Sequence, residues 1–105
     1  MEFTVDRCED QPGRLLLRVH GSVDSYTSRH LDELLLKASR QNHKAVVVNL
    51  DDVSYIDSTG LEVLLAALRR AQARAVTFTI DCGEGAVRTL FELTGLTTAF
   101  GMSAG

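Results

Sequence analysis

The 105-residue chain has no tryptophan, a single proline and only two cysteines, and each scarcity closes a class of explanation. Cys8 and Cys82 stand far apart, in neither a CxxC pair nor a metal-ligand spacing, so they build no disulfide framework and no thiolate metal site. Both are expected to be reduced. The three histidines, His20, His30 and His43, lack a second ligand at the next helical turn, which leaves a metal centre without support. No apolar run approaches the roughly 20 residues that cross a bilayer. The opening MEFTVDRCED is not a basic-then-apolar export leader. The expected location is therefore the cytoplasm, with no membrane insertion. Fourteen acidic residues against eleven Lys and Arg give a net charge of −3, with no basic stripe or arm, so nucleic acid is not an expected ligand. The phosphate-cradling GxxxxGK[ST] loop and the GxSxG nucleophile elbow are both missing.

What remains is the pattern of a folded domain. Hydrophobic residues make up 45% and charged residues 24%, the balance of a globular chain, and the length suits one domain over residues 1–105. Phe3 to Arg7 and Leu15 to His20 alternate apolar and polar residues around a Gln11-Pro12-Gly13 turn, which predicts a hairpin. Gly21 ends that strand, and Asp24 or Ser25 caps a helix whose apolar stripe is Leu31, Leu34, Leu35 and Ala38. Ala45 to Leu50 is a β-branched run suited to a strand covered on both faces. A loop then leads from Asp51 to a second helix after Gly60, with Leu61, Leu64, Leu65 and Leu68 on one face. Ala75 to Ile80 reads as a strand, and Val87, Leu90, Phe91 and Leu93 mark a third helix ending near Gly95. Leu96 to Phe100 adds an edge strand or a final turn. The alternation implies an α/β domain with helices packed on its sheet.

The stretch Asp57-Ser58-Thr59-Gly60 is less fully explained by folding. Thr59 and Glu62 have the spacing of a capping box, with Thr59 as N-cap and Glu62 reaching back. In that register Ser58 lies one residue outside the helix, free of capping duty. A helix N-terminus accommodates a phosphate through its free N–H groups and partial positive charge. A passive turn is the plainer account of the same four residues. A hydrolytic role for Ser58 lacks an identifiable base. Asp51 or Asp52 at a strand end suits a phospho-accepting aspartate, but no lysine follows Lys44, where such receiver domains use a late one. Tyr26 and Tyr55 either line a partner surface or pack.

Four stretches together resemble one family. IDSTGLEVLL is similar to the signature of STAS domains, in particular the bacterial anti-sigma factor antagonists. GSVD (Gly21 to Asp24) resembles that family's turn before the first helix, and VVVNLDDVSYIDSTGL resembles the strand and loop leading to its phosphorylation site. VRTLFELTGLTTAF (Val87 to Phe100) resembles its C-terminal helix and tail. The resemblance implies a mixed, mostly parallel sheet of four to five strands with helices packed on it. It implies a non-enzymatic partner switch without a cofactor of its own. The unmodified antagonist binds an anti-sigma factor that is also a serine kinase and so releases a sigma factor. Phosphorylation of the serine, here Ser58, ends the binding, and a metal-dependent serine phosphatase resets it. ATP belongs to the kinase.

By motif position the partner surface implied is Asp24, Ser25, Asp57, Ser58, Thr59, Gly60, Leu61 and Glu62, on a chain that is a monomer by default. Two departures stand out: Ser22 where the family usually has Glu, and Glu62 where a glycine is common. The same fold also serves as a subunit of a stress-signalling assembly or of a lipid-transporter ATPase complex. A stand-alone chain with an intact Asp-Ser pair favours the antagonist.

Overall fold

Seven elements follow in the expected order in a computed structural model that describes residues 2–102: β1 (Thr4–Gln11), β2 (Arg14–Val23), α1 (Thr27–Ser39), β3 (Ala45–Ile56), α2 (Ser58–Ala73), β4 (Thr77–Asp81) and α3 (Ala86–Leu93). The strands form one mixed sheet in the order β1-β2-β3-β4. β1 and β2 pair antiparallel, whereas β2 with β3 and β3 with β4 pair parallel. The hairpin closes at Gln11 opposite Arg14. Pro12 fixes one turn dihedral, and Gly13 accepts φ of +80°, which residues with a Cβ rarely adopt.

Two strands run further than the sequence suggests. β2 does not stop at Gly21 but continues to Val23, and the expected loop after Leu50 is the second half of β3. The register explains why the pattern hides this. Arg18 faces Asn49 while His20 faces Asp52, and Gly21 faces Val53 while Ser22 faces Tyr55. β3 therefore carries an extra residue at each of two bulges, which break the period of two and bend the strand. At the kink Gly21 has φ of +97°, and a Cβ there would lie 2.9 Å from the Glu2 carbonyl oxygen.

All three helices feed one core. α1 contributes Leu31, Leu35 and Ala38, and α2 contributes Leu61, Leu64, Ala67, Leu68 and Ala71. α3 contributes Val87 and Phe91, and the sheet adds Leu15, Leu17, Val19, Val48 and Ile80, among others. Each fully buried leucine is worth about 1.5–3 kcal/mol. Leu93, expected on the apolar stripe of α3, is 81% exposed, whereas Arg88 is only 4% exposed. Its Nη1 donates to the Cys82 carbonyl at 2.6 Å, and its Nε lies 3.6 Å from a Glu92 carboxylate oxygen. The tail after α3 forms a turn rather than a fifth strand. Phe100 packs edge-on against Phe91 at 5.7 Å, and its carbonyl accepts the Ile80 N–H at 3.0 Å.

α2 ends without glycine. The Val76 N–H reaches the Ala71 carbonyl at 2.9 Å, and the Ala75 N–H reaches Gln72 at 3.2 Å, the bond pair of a Schellman closure. Ala75 occupies its left-handed position at φ of +59°. A left-handed L-residue costs roughly 1–2 kcal/mol, against about 0.5–1 kcal/mol for the extra chain freedom of glycine. Ala75→Gly is accordingly expected to raise unfolding free energy by about 0.5–1 kcal/mol, read from the urea midpoint at unchanged slope.

Candidate functional site

Two strand ends and two helix starts meet at one corner of the fold. β2 runs into Asp24 and α1, and β3 runs into Asp57 and α2. The Asp57 N–H donates to the Val23 carbonyl at 3.1 Å, which ties the two crossings together. Gly60 sets how closely they pack. A Cβ at that position would lie 2.7 Å from Val23 Cγ1 and 2.7 Å from Ile56 Cγ1, distances no carbon pair tolerates. The first turn of α2 sits directly on the strand ends because residue 60 has no side chain.

The expected capping box between Thr59 and Glu62 does not form. Asp57 is the N-cap, and its Oδ1 accepts the Thr59 N–H at 3.0 Å, the Gly60 N–H at 3.2 Å and the Thr59 hydroxyl at 2.5 Å. With β3 extending to Ile56, the first non-strand residue is an aspartate. Its short acceptor reaches the free N–H groups two and three residues on. Ser58 is therefore the first residue of α2 rather than a residue outside it. Its side chain is exposed, and its hydroxyl makes no hydrogen bond to another described residue. Glu62 is exposed one turn further along the helix.

Asp24 is held in a matching way. Its Oδ1 accepts the backbone N–H groups of Tyr26 and Thr27, each at 2.9 Å. The Thr27 hydroxyl accepts the Asp24 N–H at 3.0 Å and donates to the Ser22 carbonyl at 2.7 Å. Neither residue expected to cap α1 is its N-cap: that position is Tyr26, with no side-chain cap bond, and Asp24 instead closes the turn leading into the helix. Ser25 is exposed beside it. Thr27 went unnoticed in the sequence, although its spacing from Asp24 is that of a side-chain turn. Tyr26 and Tyr55, two residues from Asp24 and Asp57 respectively, are 83% and 53% exposed. Leu61 and Gly60 are buried, so they support the corner from beneath and present no side chain outward.

The corner is acidic and its carboxylates are held ionised. The Thr59 hydroxyl first, then the backbone N–H groups of Gly60 and Thr59, lower the Asp57 pKa against partial desolvation and the opposing charge of Asp24. The backbone N–H groups of Thr27 and Tyr26 lower that of Asp24. Among the described residues no group of His, Cys, Asp and Glu is arranged to hold a metal ion. The exposed Ser58 hydroxyl thus stands at the start of α2 directly after Asp57, whose Oδ1 is occupied by donors from that turn.

A family profile for the STAS domain matches residues 7–104. The chain is a STAS domain. It is 34% identical over 80 residues to the anti-sigma-B factor antagonist of Staphylococcus aureus, covering 76% of this chain and 74% of that protein. The same identity and coverage hold for the antagonist of Staphylococcus epidermidis. This STAS domain thus belongs to the anti-sigma factor antagonists. Its fold matches that of an anti-sigma factor antagonist from Mycobacterium paratuberculosis with a TM-score of 0.88 at 25% identity, over 99% of this chain and 87% of the other. The anti-sigma factor antagonist SpoIIAA in its unphosphorylated form shares the fold at a TM-score of 0.79 and 19% identity, over 98% of this chain and 89% of the other. Four strands lie within the expected four to five, and two of the three pairings are parallel, as the family resemblance implied.

Two outcomes follow from this geometry. Gly60→Ala forces α2 off the strand ends and is expected to cost about 1–3 kcal/mol, as overpacking does, with loss of partner binding at temperatures where the fold persists. The lowered carboxylate pKa values give a definite sign with pH. Stability from Asp24 and Asp57 is fully present above the ordinary carboxylate value near 3.9 and is lost as pH falls from there through the lower folded values. Thermal midpoints measured from pH 6 down to pH 2 should fall less steeply in Asp57→Asn than in the parent, from a lower starting point.

Proposed function

We propose that this STAS domain is a partner-switching anti-sigma factor antagonist. Unmodified, it binds an anti-sigma factor that is also a serine kinase, which frees a sigma factor. The observation that carries the reading is the exposed Ser58 hydroxyl on the first residue of α2, directly after Asp57, whose charge is opposed by that of Asp24. The contact surface consists of Asp24, Ser25, Asp57, Ser58, Thr59 and Glu62, with Tyr26 and Tyr55 at its sides and Gly60 and Leu61 holding it from below. The chain acts by binding, not by turnover. ATP is the kinase's substrate, and a metal-dependent serine phosphatase restores the hydroxyl. Similarity to antagonists over three quarters of the chain favours this role over that of a subunit in a stress-signalling assembly or a lipid-transporter complex.

The switch needs only charge. A phosphate on Ser58 adds about −1.5 to −2 charges to a corner that already holds Asp24, Asp57 and Glu62. The start of α2 tolerates it, because the positive end of the helix dipole faces that way. A bound partner shaped for the unmodified corner does not. One new like-charge contact near 4 Å costs roughly 4 kcal/mol at an effective dielectric of 20, about a thousandfold in affinity.

The test is incubation with anti-sigma serine kinases and ATP, followed by site mapping by mass spectrometry and affinity measurement. One phosphate at Ser58, none on Ser58→Ala, and about a thousandfold weaker binding of the phosphorylated chain are expected. Equal affinity of the two forms would contradict the switch.

A further inference from the structure

A second feature lies about 18 Å along α2 from Ser58, at the 1.5 Å rise of a helix, and plays no part in the corner described above. Between the last turns of α1 and α2 is a cavity of about 30 Å³, with apolar walls that include Leu35, Ala38, Val46, Ala71 and Phe78. Three basic residues also line it: His43, Arg70 and Arg74. Arg74 is engaged, since its Nη1 donates to the Ser39 carbonyl. The other two each keep polar atoms unmet. Arg70 Nε, Arg70 Nη2 and His43 Nδ1 are buried and have no hydrogen-bond partner among the described residues. Asp32 forms a long ion pair with Arg70, its Oδ1 4.0 Å from Nη2, beyond hydrogen-bond reach.

The identity of these atoms restricts what would satisfy them. Nε–H and one N–H of Nη2 lie parallel on the same edge of a guanidinium, the edge that matches both oxygens of a carboxylate. Leaving such a pair buried and unmet costs free energy that a bound oxyanion returns. His43 supplies the opposite polarity. Its Nε2 lies 2.9 Å from Gln41 Oε1, an oxygen that also accepts from Arg7 Nη2 at 2.9 Å. The Arg7 bond fixes the Gln41 amide with its oxygen toward the imidazole, so Nε2 carries the proton. In the neutral ring Nδ1 is then a lone pair that requires a donor. A two-oxygen acceptor on Arg70 and a donor on His43, against an apolar wall, suit a carboxylate that also carries a hydroxyl.

We propose that this cavity binds a short 2-hydroxy carboxylate, with the carboxylate bidentate on Arg70 Nε and Nη2 and the hydroxyl donating to His43 Nδ1. A volume of about 30 Å³, roughly the room of two waters, takes the two carboxylate oxygens, so the carbon atoms of the ligand lie toward the mouth. Asp32 opposes the ligand's charge.

The test is amide NMR of the full chain titrated with sodium lactate, sodium propionate and sodium chloride at equal ionic strength. Lactate should give saturable shifts confined to residues 35–46 and 67–78, and should bind several-fold tighter than propionate. Arg70→Lys, which keeps the charge but loses the fork, should weaken lactate by about tenfold or more, and Asp32→Asn should tighten it. Absence of a saturable lactate response, propionate binding as well as lactate, or undiminished binding by Arg70→Lys would each overturn the proposal. The outcome leaves the Ser58 reading untouched, because the two sites share no residue.

Discussion

The approach of α2 to the ends of β2 and β3 governs the rest of this structure. A hydrogen atom at position 60, in place of any side chain, lets the first helical turn rest on Val23 and Ile56. That contact brings the two strand-to-helix crossings within one hydrogen bond of each other, Asp57 N–H to the Val23 carbonyl. Asp24 and Asp57 end up close enough for their charges to oppose one another. Each carboxylate is stabilised by donors from its own helix start. Ser58, first in α2, makes no side-chain hydrogen bond to another described residue. Its hydroxyl is exposed because its neighbours have taken every structural task.

This division of labour links stability to function. Asp57 satisfies backbone N–H groups that would otherwise be orphaned, so the loop at the corner is rigid and prearranged. A rigid surface loses little conformational freedom on binding, and its affinity responds to one added charge rather than to a rearrangement. The helix dipole that favours aspartate as the cap also favours negative charge one residue on. The proposed switch would require a corner that is stable in either covalent state.

The order of elements and the apolar stripes of α1 and α2 were legible in the sequence, because Leu31, Leu35, Leu64 and Leu68 repeat at helical spacing and the Val46 to Val48 run is unmistakably strand. Two things were not. β3 reads as a loop after Leu50 because two bulges shift its buried residues to Val53 and Ile56, a spacing of three that no alternation rule recognises. The cap of α2 reads as Thr59 because three successive residues can all cap. The choice among them is made by where β3 ends and by the Gly60 contact, both of them tertiary facts. Arg88 shows the same limit: an arginine on a short amphipathic helix looks solvated, and only the Cys82 carbonyl beneath it explains its burial. Local pattern located the site, while long-range contacts set its register.

The central claim is that Ser58 sits on a finished surface whose modification changes charge and not fold. Amide spectra and hydrogen exchange of the protein before and after stoichiometric phosphorylation at Ser58 test it most directly. The account predicts shifts confined to the corner, residues 22–27 and 55–62, with exchange protection in β2, β3 and α1 unchanged. Widespread shifts through α1 and β4, or a loss of protection in the core strands, would contradict it and would mean that the phosphate acts by unseating α2.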